Sequence, residues 1–123
     1  MPAPVLVVHD ELTVRELALT ALGSAGHETV GLEDPMIALD TIEAAALAPV
    51  LITSVTFPAG KPNGISLGRM AKLKRPDIKA VFVGALEHQS LTEGLGDFLV
   101  MPFDPQALVD VVDRLLDRVP TCC

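Results

Sequence analysis

Two polar clusters carry the side chains of this chain best placed to do chemistry. His9-Asp10-Glu11 follows the apolar run Val5-Leu6-Val7-Val8, and Ser54-Val55-Thr56 follows Val50-Leu51-Ile52-Thr53. A serine hydroxyl becomes a nucleophile only when a base or a metal takes its proton, and His9 is the candidate base. Such a pair needs hydrogen-bond contact, and it needs an electrophilic partner for the charge that develops during transfer. His27 and His88 fall in turns and have no metal-ligand spacing. Cys122 and Cys123 are the only cysteines; adjacent thiols rarely bond to each other and are too few for a zinc shell, so they read as reduced thiols without a role.

The elements that must position these clusters follow from hydrophobic period. Val5–Val8 and Val50–Thr53 are continuous apolar runs of strand length, the mark of a parallel sheet covered on both faces. From Leu12 the period becomes helical, with Val14, Leu17, Ala18, Ala21 and Leu22 on one face and Gly26 beyond the end. Residues Glu28 to Leu32 form a short second strand. Asp34-Pro35 opens a helix with Asp as N-cap and Pro in the first turn; Met36, Leu39, Ile42 and Leu47 are its apolar stripe, and Pro49 marks its end. The stretch from Pro58 to Gly64, rich in Pro and Gly, is a loop. A third helix carries Leu67, Met70, Ala71 and Lys74 and stops before Pro76. Lys79–Val83 and Asp97–Val100 are two further strands. Asp104-Pro105 repeats the Asp-Pro helix start and leads into Leu108, Val111, Val112, Leu115 and Val119. Strand and helix alternate throughout, which implies a doubly wound α/β fold, since parallel neighbours need crossover helices. The right-handed crossover rule then puts the first and last helices on the same face.

Composition narrows the function classes. The 123 residues suit a single domain spanning 1–123 with a core of its own. Half are apolar, Trp and Tyr are absent and only 3% are aromatic, so the core is aliphatic. A net charge of −7 argues against direct nucleic-acid binding, which needs a basic footprint. No apolar run reaches membrane-spanning length, and Met1-Pro2-Ala3-Pro4 lacks the basic start of a signal peptide; a cytoplasmic location is expected.

Three strand-end segments, Val7–Glu11, Ser54–Pro58 and Phe98–Phe103, together resemble the receiver domains of two-component response regulators. The resemblance covers nearly the whole chain and implies a flavodoxin-like five-stranded parallel sheet in the order 2-1-3-4-5. In that family the first segment ends in an acidic pair, the second carries the phosphoacceptor Asp, and the third carries a Lys before Pro-Phe. A hydroxyl residue ends the fourth strand. Here these positions read His9-Asp10, Ser54, Met101 and Gly84; Asp10 alone is kept. The family's Mg²⁺ ligands correspond to Asp10, Ser54 and the carbonyl of Thr56. Mg²⁺ favours hard oxygen donors in near-octahedral array, so one carboxylate supports at most a weak site. Asp10 also reads as a cap of the following helix. Phe98 matches the family's switch aromatic and is expected to be packing at the core or rim.

The resemblance thus implies an atypical, chemotaxis-type, single-domain pseudo-receiver that lacks the phosphoacceptor Asp. It would signal by protein–protein contact with a histidine kinase or other signalling protein, or with a second copy, and not as an enzyme. Two alternatives stay open: a receiver phosphorylated at a non-standard residue, and a small cofactor-binding α/β protein. A flavin-type site needs a phosphate-cradling loop after the first strand; His9-Asp10-Glu11-Leu12 is acidic and has no Gly. The segment between Gly84 and Phe98 is shorter than usual by roughly one helical turn, so Leu86–Glu93 forms only a short, weak helix. That shortening is expected to uncover apolar surface near Phe98, Leu108 and Val112, rimmed by Asp110 and Asp113, as a docking or dimerisation patch.

Overall fold

A computed structural model describes residues 5–44, 49–57 and 63–116. Leu47, Val119, Met1–Pro4, the cysteine pair and the Pro58–Gly64 loop up to residue 62 lie outside the described residues. Five strands, β1 (Val5–Val8), β2 (Thr29–Leu32), β3 (Val50–Ser54), β4 (Lys79–Gly84) and β5 (Asp97–Val100), alternate with helices α1 (Leu12–Ser24), α2 (Pro35–Ala44), α3 (Gly64–Lys74) and α4 (Pro105–Leu115). A 3₁₀ segment, Leu86–Thr92, joins β4 to β5. All pairings are parallel and the order is β2-β1-β3-β4-β5, as the receiver resemblance implied.

The two-residue period of a strand explains why the apolar runs are continuous. Val5 and Val7 of β1, Val50 and Ile52 of β3, and Val81 and Val83 of β4 face one layer, where they meet Ala18 and Leu22 of α1 and Leu108, Val109 and Val112 of α4. Leu6, Val8 and Leu51 face the other, against Ala38, Leu39 and Ile42 of α2 and Leu67 and Ala71 of α3. The first and last helices therefore share a face. Ala80, Phe82 and Val55 extend the second layer, with Phe98 and Leu95 packed at its rim.

Local signals set the helix ends. Asp34 accepts the Met36 N–H at 2.8 Å and Asp104 the Gln106 N–H at 3.0 Å, so both Asp-Pro starts are true caps. Asn63 caps α3 through Ser66 N–H at 2.8 Å. After α3, Arg75 reaches back to the end of α2, donating to the carbonyls of Ile42 (3.2 Å) and Glu43 (3.3 Å). Lys74 adds an ion pair to Glu43 at 2.9 Å. Arg75 thus meets the last carbonyls of α2, where the helix dipole is negative.

Four expectations need correction. Leu17 is 45% exposed and Met36 51%, so neither belongs to its helix's buried stripe. Leu108 and Val112 are fully buried between α4 and the sheet, so the shortened segment uncovers neither. The exposed apolar residues of that region are Leu86, Leu91 and Val100. Asp113, expected at a patch rim, is hydrogen-bonded to the buried His27 at 2.7 Å. The expected weak helix at Leu86–Glu93 is a 3₁₀ segment, followed by Gly94 with φ 79°. Among the described residues no helix is long and apolar enough to cross a membrane.

Replacing Arg75 by Ala removes two charge-assisted hydrogen bonds to carbonyls that then rely on water. Chemical denaturation is expected to show a loss of about 1 kcal/mol, the low end for such bonds because the guanidinium is partly solvated. The m-value should not change, since the folded surface is the same.

Candidate functional site

Register puts the chemistry at one end of the sheet. Val8 pairs with Thr53, so His9 and Ser54 emerge side by side at the carboxyl ends of β1 and β3. Ser54 pairs with Val83, and Gly84 with Val100, which brings Gly84 and Met101 to the same rim. The Met101 N–H donates to the Gly84 carbonyl at 2.8 Å. Together with Asp10, Glu11, Thr56, Phe57 and His88 these residues line a cleft of about 450 Å³. It lies where an open α/β sheet reverses its winding order, the usual ligand position of such folds.

Ser54 is 5% exposed. Its hydroxyl donates to the Thr56 carbonyl at 2.7 Å and its oxygen accepts the Thr56 N–H at 3.3 Å, a closed local turn. The Ser54 carbonyl accepts the Thr53 hydroxyl at 3.0 Å. Gly64 lies against that same carbonyl so closely that a Cβ there would overlap it, and Gly64 N–H donates to Val55 O at 2.8 Å. Only glycine lets α3 begin this close to the end of β3.

His9 is 6% exposed. Its Nδ1 accepts the backbone N–H of Glu11 at 3.1 Å and lies 3.6 Å from Asp10 Oδ1. Burial lowers its pKa below the ordinary imidazole value; Asp10 and Glu11 oppose the shift, and Arg15 adds to it. The neutral ring therefore carries its proton on Nε2, and its basic lone pair is already committed to Glu11. Ser54 and His9 share the cleft, but each spends its reactive atom on nearby backbone. Among the described residues no hydrogen bond joins them into the candidate nucleophilic pair.

The donors expected for Mg²⁺ fit it poorly. Asp10 offers one partly solvated carboxylate, Ser54 a neutral hydroxyl, and the Thr56 carbonyl already accepts one hydrogen bond from that hydroxyl. Among the described residues no three His, Cys, Asp or Glu side chains are grouped to hold a metal ion. Asp10 does not cap α1 either: the N-cap is Glu11, without a side-chain cap bond. Met101 brings a thioether and Gly84 no side chain. Phe98 is half-buried beside Ala80, Phe82 and Leu95, a packing position at the rim. The residue that sequence reasoning missed is His88, which reaches the cleft from the 3₁₀ segment. No spacing signalled it; the glycine at 84, which leaves room for a ring, was the only cue.

The fold is the one found in response regulator receiver domains. No family model matches the chain. It is 29% identical over 119 residues, 93% of its length, to the response regulator protein FleR of Pseudomonas aeruginosa. It is 30% identical over 120 residues, 94% of its length, to the DNA-binding transcriptional regulator NtrC of Azospirillum brasilense. The chain spans 24% of the length of each of these curated relatives. Among solved structures, the receiver domain of NtrX from Brucella abortus superposes with a TM-score of 0.83 at 26% identity, over 94% of this chain and 99% of that one.

The lowered pKa of His9 has a sign in stability. The unfolded chain binds a proton that the folded cleft resists, so the stabilisation is complete above about pH 6.5 and declines as pH falls toward the folded value. NMR titration should place the His9 midpoint below that of an exposed imidazole. His9→Gln should flatten this part of the stability-versus-pH profile measured by urea unfolding.

Proposed function

We propose that the chain acts in two-component signalling as a receiver-type module that accepts no phosphate and works by protein contact, not as an enzyme. The observation that carries this reading is the closed Ser54–Thr56 hydrogen bond at the phosphoacceptor position, 2.7 Å long. A carboxylate there would be ionised at neutral pH and free to attack phosphorus; a hydroxyl that donates to a neighbouring carbonyl, with no base on it, is not a comparable nucleophile. Gly84 and Met101 supply neither the hydroxyl nor the cation that would stabilise a phosphoryl group. The acidic Asp10 and Glu11 at the mouth disfavour anions, which also weighs against a phosphate-bearing cofactor. Any Mg²⁺ held by Asp10 would bind weakly.

Support for protein contact lies next to the cleft. Val14 and Leu17 of α1, with Met101, Pro102 and Phe103, line an apolar groove of about 430 Å³. Leu12 is also exposed at the start of α1, and Leu86 and Leu91 on the 3₁₀ segment. Apolar surface of this kind, rimmed by charge, is what partner helices or a second copy cover.

Incubation with acetyl phosphate and Mg²⁺ should leave the intact mass unchanged. A phosphoryl adduct on Ser54 or any other residue would overturn the reading. Ser54→Asp alone should label slowly. Adding Met101→Lys to that variant should raise the labelling rate on the order of 100-fold, the value of one well-placed electrostatic partner.

A further inference from the structure

Gly84 has no side chain, yet the space beside it is filled. A Cβ placed on Gly84 would lie 3.1 Å from Cγ2 of Val55 and 3.2 Å from Nδ1 of His88. That imidazole comes from the 3₁₀ segment, whose first turn closes through His88 N–H to the Ala85 carbonyl at 2.9 Å. Its Nδ1 is buried and, among the described residues, has no hydrogen-bond partner. A ring nitrogen is better hydrated than buried bare, so an imidazole held this way is held by packing.

We infer that His88 is a wedge: by occupying the volume beside Gly84 it fixes the 3₁₀ segment Leu86–Thr92 in one position against the strand ends. The residue at 84 must then be small, because side chain and wedge compete for one space. The outward-facing Leu86 and Leu91 are carried on a segment whose placement is set from inside the cleft. This inference concerns packing and stands whether or not the chain accepts phosphate.

Hydrogen exchange on the intact protein tests it, with amides of β1 and α4 as internal controls for global folding. His88→Ala should speed exchange across residues 86–92 by about tenfold or more, as expected when a packed side chain is deleted from a locally opening segment. His88→Leu refills the volume without the ring nitrogen and should restore near-native protection. Gly84→Ala should speed exchange of the segment in the wild-type background and have a smaller effect on it in the His88→Ala background, where the only crowded partner left is Val55, which lies outside the segment. Unchanged exchange in His88→Ala would overturn the wedge. So would failure of His88→Leu to restore protection, or an equal Gly84→Ala effect in both backgrounds. If His88→Ala loses protection in the controls as well, the His88→Leu and Gly84→Ala single variants decide: near-native protection in the first with local loss in the second supports the wedge, and any other pattern overturns it.

Discussion

Everything in this molecule depends on β1 and β3 being buried on both faces. A strand between two helical layers has no solvent side, so each residue of Val5–Val8 and Val50–Thr53 is committed to packing. The first positions released from that constraint are those where the strands stop. His9, Ser54, Gly84 and Met101 occupy such positions. His9, Ser54 and Gly84 belong to none of the apolar clusters and Met101 only packs against one, so these positions are less tied to the core than the strands that carry them.

At that rim, short backbone contacts outcompete long-range chemistry. Ser54 closes onto Thr56, and His9 accepts from Glu11, each within two residues of itself. Where a carboxylate cluster would draw in a cation and hold itself open by charge repulsion, a hydroxyl and a neutral imidazole satisfy themselves locally. The cleft remains as a shape, with its polar groups turned toward its own walls. Arg15 contributes to the same closure by donating to the His9 carbonyl at 2.7 Å.

The fold was legible because its determinants are local or periodic. Period two with both faces apolar reveals the buried strands, and Asp-Pro reveals the starts of α2 and α4, since a cap is made within two residues. Faces of helices were less legible. Leu17 and Met36 keep a helical spacing with their buried neighbours, yet both are about half exposed. Leu108 and Val112 went the other way: a shorter neighbouring segment was expected to uncover them, but α4 presses them onto the sheet whatever that segment does. The identity of the rim residues was readable from strand ends alone. The arrival of His88 was not, because it depends on how the chain turns between Gly84 and Gly94, and no residue pattern encodes that path.

The hydrogen bond between His27 and Asp113 joins residues 86 positions apart. It sits beside the layer where α1 and α4 complete one core, so the apolar face of α1 is fully covered only once α4 has joined the sheet. A chain of this order has a built-in delay. Contacts of such long separation are entropically slow to form, and until α4 docks, Ala18 and Leu22 have the strand side of their layer but not the α4 side. The α2–α3 side, stapled by Arg75 over a much shorter span, is free to consolidate earlier. Sequence separation thus favours ordering of the α2–α3 face before the α1–α4 face.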